Sequence, residues 1–228
     1  MAMLGNRVIG YEADPAKLRA ISNAEIPFHE PGLEDQLAEL RDSGLYSVAE
    51  HFGEGPVCDV YFICVGTPQT SSGNSADTSF VFSAGEGLAK VISPETVVVG
   101  KSTVPVGTTA ALRDRMSEVA GFPVHLAWNP EFLREGTALG DSLNPDRIVI
   151  GSWNDYSSQK LKEVYKPILD RGTPLIEVDV PTAELVKVAA NAFLATKVSF
   201  INAMAEIAEV SGADAVQLAG AIGYDERI

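Results

Sequence analysis

Short runs of β-branched and other apolar residues recur along this chain, separated by longer stretches with helical patterning. Such runs stand at Val60 to Val65 (VYFICV), Val97 to Val99 (VVV), Val124 to Ala127 (VHLA) and Arg147 to Gly151 (RIVIG). A strand that is apolar at consecutive positions has no face to show water, so it must be covered on both sides. Helices alternating with such strands supply that cover, and together they specify a parallel sheet with helices on both faces. Two further strands are expected at Arg7 to Glu12 and Pro174 to Val178. The intervening helices are expected at Asp14 to Ser22, Leu33 to Arg41, Thr78 to Val91, Thr108 to Val119 and Ser157 to Leu169. Pro15 falls in a first turn, where its missing N–H costs nothing, and Asp77 is placed to cap.

After Pro181 the pattern changes. Residues Thr182 to Val210 keep unbroken helical character, longer than any earlier helix. The expected organisation is a doubly wound, Rossmann-like α/β domain over residues 1–180, then the start of a central helical region over 181–228. The small and apolar residues of the long helix suit a dimer core.

Seventeen Lys and Arg against 31 Asp and Glu give a formal net charge of −14. Nucleic-acid binding needs clustered cations to neutralise phosphates, and this chain has no such cluster. An anionic small molecule can still be held by a few local donors. The opening MAMLGNRVIG lacks the regions of a signal peptide, and no uninterrupted apolar run reaches about 18 residues. A cytosolic protein without a membrane partner is expected. Cys58 and Cys64 have neither metal-site nor disulfide-framework spacing and are expected to act as small hydrophobes, and no metal site is expected.

In an open parallel sheet, ligands bind beyond the carboxyl ends of the strands. The strand Arg7 to Glu12 ends in an acid, where a dinucleotide-binding fold places the carboxylate that accepts from the adenosine ribose and disfavours a 2′-phosphate. Lys17 follows five residues later, near the adenosine end. The next strand ends in Val65, Gly66, Thr67 and Pro68, a turn-rich tetrapeptide with one hydroxyl. Lys101 to Thr108 (KSTVPVGT) offers the hydroxyls of Ser102 and Thr103. Glu131 and Glu135 follow the strand Val124 to Ala127, and on a helical turn a spacing of four puts both on one face. Such acids either cap a solvated helix through its dipole or perform acid/base work. On the long helix, Lys187 and Asn191 share a face by the same spacing. One reading has them stabilise negative charge on a substrate oxygen; the other has Lys187 snorkel to water and Asn191 bond a carbonyl.

These segments together resemble the nucleotide-sugar 6-dehydrogenases. The resemblance is carried by EIPFHEPGL, VGTP, ADTS, KSTVPVGT, NPEFLREG, NPDRIVIG, KVAANAFLA and GYDERI. It therefore covers nearly the whole chain, and the NPDRIVIG ending is similar to the UDP-glucose branch. The resemblance implies two successive NAD-dependent oxidations of a UDP-sugar hydroxymethyl, through a cysteine-bound thiohemiacetal and thioester. By matching, Glu131 would be the acid/base group for thioester hydrolysis and Thr103 would help to hold the water. Lys187 and Asn191 would stabilise the oxyanion, and Glu135 would sit between substrate and nicotinamide. Phe132, Leu133 and Arg134 would line the sugar site with the two glutamates, and Arg227 would contact substrate. The full-length protein is expected to be a homodimer.

The glycine loop that cradles the pyrophosphate lies, in this fold, before the strand carrying the ribose acid. It is expected upstream of Met1, with the first strand and most of the first helix. The family's nucleophilic cysteine and UDP-binding domain are expected downstream of Ile228. The 228 residues alone are accordingly expected to be catalytically silent. Two alternatives stand beside this: a noncatalytic binding module with the same fold, and a dehydrogenase for another nucleotide sugar such as UDP-N-acetylmannosamine or GDP-mannose.

Overall fold

The structure, a computed structural model, describes residues 1–225 apart from 27, 72 and 74. It divides into two compact units, Met1–Lys187 and Val188–Ile228.

The first unit is α/β. A short 3-10 turn (Ala2–Leu4) precedes β1 (Val8–Tyr11), α1 (Pro15–Ser22), α2 (Leu33–Asp42) and β2 (Tyr46–Ala49). Then come β3 (Val60–Ile63), α3 (Ser79–Ala89), β4 (Val97–Gly100), α4 (Thr108–Ala120), β5 (His125–Trp128), α5 (Ala138–Leu143), β6 (Ile148–Ser152), α6 (Asp155–Leu169) and β7 (Leu175–Val178). β1 and β2 pair in parallel as a two-stranded sheet, and β3 to β7 form a five-stranded sheet in sequence order. The parallel expectation holds with one exception: β5 and β6 run antiparallel, joined at Ala127–Ser152 and Trp128–Gly151. The chain between them, 129–147, holds only the six-residue α5, too little for the helical crossover that a parallel pair requires. β2 is as long as β3 and β4, but YSVA has no continuous apolar run to mark it as a strand.

The apolar runs are buried on both faces, as their composition requires. Val97 and Val99 of β4 face a cluster with Ala127, Ile150, Leu161, Tyr165 and Ile168, on the α6 side. Val98 faces the opposite cluster with Ile63, Val81, Leu112, Met116, Leu126 and Trp128, beneath α3 and α4. This period of two across a strand wholly shielded from water accounts for three consecutive valines. The β1–β2 sheet joins the same core through Tyr11, whose ring lies 5.1 Å from Phe52 and 6.4 Å from Tyr61.

The long helix α7 (Val180–Ser211) begins in the first unit and continues into the second. Its first turns pack directly on β6. A Cβ on Gly151 would lie 2.5 Å from Ala183 Cβ and 3.0 Å from Val180 Cα, so only glycine allows this approach. In the second unit α7 is followed by α8 (Ala215–Ile222), capped by the Asp214 carboxylate, which accepts from Val216 N and Gln217 N. Phe193, Leu194, Val198, Phe200, Ile207 and Val210 are exposed on α7. Among the described residues α7 is also the helix long and apolar enough to cross a membrane by length and composition.

Candidate active site

The parallel strands β3, β4 and β5 end at Ile63, Gly100 and Trp128, on one edge of the sheet. The segments beyond these ends, 64–68, 101–103 and 129–135, carry most of the expected site residues. Hydroxyls stitch two of the segments together. Thr67 Oγ1 donates to Thr103 O at 2.8 Å, and Ser102 Oγ donates to Val65 O at 2.6 Å. These bonds fix the backbone of VGTP and KST and occupy the Thr67 and Ser102 hydroxyls. Around a Cβ built on Gly66, nothing lies within 4 Å.

Beyond β5, Asn129 is buried and both ends of its side-chain amide are engaged. Nδ2 donates to Val149 O at 2.8 Å, while Oδ1 accepts from Tyr165 OH at 2.5 Å and Lys101 Nζ at 3.3 Å. Burial pushes the Tyr165 phenol well above its ordinary pKa. Burial also lowers the pKa of the Lys101 ammonium, opposed by the charges of Cys64 and Glu131 and reinforced by that of Lys187. Lys101, Glu131 and Lys187 thus form one electrostatic neighbourhood.

Its centre is an ion pair. Lys187 Nζ lies 2.9 Å from Glu131 Oε1, with side-chain exposures of 10% and 30%. The other Glu131 oxygen accepts from Leu133 N at 2.6 Å. Phe132 is half-buried beneath two cations, with the Arg147 guanidinium 4.0 Å and Lys187 Nζ 5.6 Å from its ring centroid. The Lys187 side chain is therefore turned into the protein instead of snorkelling outward. A carboxylate and an ammonium in hydrogen-bond contact can pass or hold a proton and can stabilise a developing oxyanion.

The expected helical turn over Glu131 to Glu135 is not formed. Residues 131–134 have no regular structure, 135–137 make a turn, and the helix begins only at Ala138. Pro130 lacks a donor, the Asn129 side chain is spent on the core, and Glu131 bonds its own downstream backbone instead of starting a helix. The two acids consequently do not share a helical face, and Glu135 is exposed. Arg134 is engaged with Asp141: Nη2 and Nε reach its two carboxylate oxygens at 2.6 and 3.0 Å, and Arg134 N donates to it at 3.0 Å. The guanidinium pulls the Asp141 pKa down to about 2. This clasp closes the loop that contains Glu135, while Leu133 is exposed.

Glu12 lies just past β1, half-buried, and its Oε1 accepts from Asp14 N at 2.9 Å. Lys17 is exposed on α1. Asn191 is exposed and lies in the second unit, whereas Lys187 is the last residue of the first. Arg227 lies outside the described residues. β3 ends at Ile63, so Cys64 lies beyond the strand and is exposed, against the expectation of a small hydrophobe.

Several contributors went unnoticed in the sequence. Glu184 is buried on α7 and binds the N-terminus of α4. Glu30, buried within EIPFHEPGL, accepts from Leu139 N at 3.0 Å and so fixes the first turn of α5. Asn129, Lys101, Tyr165, Arg147 and Asp141 complete the surroundings. The available signal was a charge inside an apolar run, as with Glu184 in TAELVKVAANAFL.

Comparison with known proteins agrees with this fold. Residues 1–169 match the UDP-glucose/GDP-mannose dehydrogenase family, NAD binding domain, and residues 181–228 match the central domain of the same family. UDP-glucose 6-dehydrogenase YwqF of Bacillus subtilis is 38% identical over the whole chain, which covers 52% of that protein. A UDP-glucose dehydrogenase from the archaeon Pyrobaculum islandicum superposes with a TM-score of 0.93 at 39% identity, all of this chain on 53% of that one. GDP-mannose dehydrogenase from Pseudomonas aeruginosa gives a TM-score of 0.93 at 30% identity, again over all of this chain and 53% of the other. The chain thus spans about half the length of these relatives. With its α/β nucleotide-binding unit and the long helix that follows, the chain belongs to the UDP-glucose/GDP-mannose dehydrogenase family.

Proposed function

We propose that the full-length protein oxidises the C6 hydroxymethyl of UDP-glucose to the carboxylate of UDP-glucuronate in two successive NAD-dependent steps. The observation that carries this reading is the Glu131–Lys187 pair, an acid/base couple held at 2.9 Å beyond the carboxyl ends of the strands. NAD, when bound, accepts the hydride. The residues fit it: the half-buried Glu12 is available to the adenosine ribose with Lys17 beside the adenosine end, and the open space over Gly66 lets a ligand approach the backbone of 65–68. Ser102 and Thr103 border that space, Glu135 stands toward the nicotinamide, and residues 131–135 line the sugar.

In this reading Lys187, with Asn191, holds the negative charge that develops on the sugar oxygen. Glu131 takes a proton from the water that hydrolyses the thioester, with Thr103 helping to place that water. In this reading the thioester is carried by a cysteine of the longer protein. Arg227 contacts substrate. Residues 1–180 form the NAD-binding domain, and 181–228 begin a central dimerisation region whose exposed apolar side chains meet a second copy. We place this homodimer in the cytosol, without nucleic-acid or membrane partners, and in the synthesis of glycan precursors. The likeness to the GDP-mannose enzyme supports a second reading, in which another nucleotide sugar is the substrate.

Mass spectrometry of the sugar product decides between them. The full-length protein, supplied with NAD and a panel of UDP- and GDP-sugars, is expected to convert UDP-glucose to the uronate. Oxidation of GDP-mannose or UDP-N-acetylmannosamine in its place refutes the first reading. Failure to oxidise any of them refutes both.

A further inference from the structure

Glu184 is 2% exposed, and among the described residues its partners are three donors at the start of α4 and no cation. One oxygen accepts from Gly107 N at 2.8 Å, and the other accepts from Thr109 N at 2.7 Å and Thr109 Oγ1 at 2.5 Å. A buried carboxylate satisfied by the free N–H groups and positive dipole end of a helix is a stable arrangement. Here the carboxylate comes from α7, so it ties two helices distant in sequence. Gly107, at φ +95°, is the residue that lets the backbone turn its N–H toward that oxygen.

Lys187 stands one helical turn after Glu184, and in that turn Ala183 abuts Gly151 of β6. Thr103 stands four residues before Gly107, in a segment whose other end is held by Ser102 Oγ on Val65 O. The Glu184 carboxylate therefore locks at once the helix that delivers Lys187 and the loop that delivers Thr103. We infer that Glu184 is a positioning residue for the reaction: it sets the approach of Lys187 to Glu131 and of the KSTVPVG loop to the same site. This inference rests on the reading proposed above.

Glu184→Gln tests it in the full-length protein. An amide has one acceptor oxygen, so either Gly107 N or Thr109 N faces an NH2 group, and α7 must shift to relieve the clash. A displacement of this kind is expected to lower kcat about tenfold while leaving the KM for NAD within about twofold. Reductive methylation of Lys187, read by peptide mass spectrometry, is expected to rise several-fold while labelling of the exposed Lys166 stays constant. Thr109→Val removes one of the three bonds and is the milder variant, expected to change both readouts in the same direction if Glu184→Gln does not fold. Unchanged kcat and unchanged Lys187 labelling, in whichever variant folds, would overturn the inference and leave Glu184 a helix cap. A wild-type protein inactive on every nucleotide sugar refutes the proposed function, while the labelling still reports whether Glu184 sets the position of Lys187.

Discussion

Replacing Glu131 by Gln removes the charge that balances a lysine only 10% exposed, without changing the shape of the side chain. Breaking a fully buried ion pair from one side costs about 3–5 kcal/mol, because the remaining charge is left without compensation. Glu131 is 30% exposed, so water partly replaces the lost partner and a cost of about 2 kcal/mol is expected. For a domain of this size that lowers Tm by about 4–8 °C. Lys187→Met is expected to cost less, about 1 kcal/mol, since the stranded carboxylate reaches water and keeps its bond from Leu133 N. The double variant leaves neither charge stranded, so the two effects should fall short of additive by about 1–2 kcal/mol. Thermal and urea unfolding of the wild type, both single variants and the double variant measure this cycle. Additivity within about 0.3 kcal/mol, or a larger cost for Lys187→Met than for Glu131→Gln, refutes the account of the pair as a buried lysine neutralised by a half-exposed acid.

Further outcomes follow from the packing and the charges. Gly151→Ala places a methyl against the Ala183 methyl and the Val180 backbone, and overpacking of this kind should cost about 1–3 kcal/mol, visible in urea unfolding. A Gly151→Ala protein as stable as wild type means that α7 does not sit directly on β6. Asp141 has its folded pKa depressed from 3.8 to about 2 by Arg134, so its contribution is present above the unfolded value and is lost as pH falls toward the folded one. Asp141→Asn should therefore be less stable than wild type near neutrality and converge with it between about pH 4 and pH 2. A difference that persists unchanged at pH 2 excludes the Arg134 clasp as its cause.

Much of this architecture was legible because burial on both faces leaves a strong mark on sequence. VYFICV, VVV and RIVIG each gave a strand in place, and the helices between them start or end within a few residues of expectation. Where the pattern failed, local chemistry had prevailed over period. EFLRE has helical spacing, yet the preceding proline and the side-chain bond from Glu131 to Leu133 N keep it open. The strand Tyr46–Ala49 has no continuous apolar run to announce it, and the antiparallel turn of β6 follows from a short connection that periodicity does not measure. The site was legible as residue types at strand ends. Its joinery was not, because Glu184 on Thr109 and Glu30 on Leu139 join residues 75 and 109 apart in sequence.

On the proposed function, Glu131 and Lys187 form the acid/base pair of an NAD-dependent oxidation whose last step is hydrolysis of an enzyme-bound thioester. The most direct test is rapid mixing of full-length Glu131→Gln with UDP-glucose and NAD, following NADH absorbance and the intact mass of the protein. A burst of NADH that stops is expected, with the sugar nucleotide left covalently attached to the enzyme. Steady turnover at the wild-type rate, with no adduct, would contradict it.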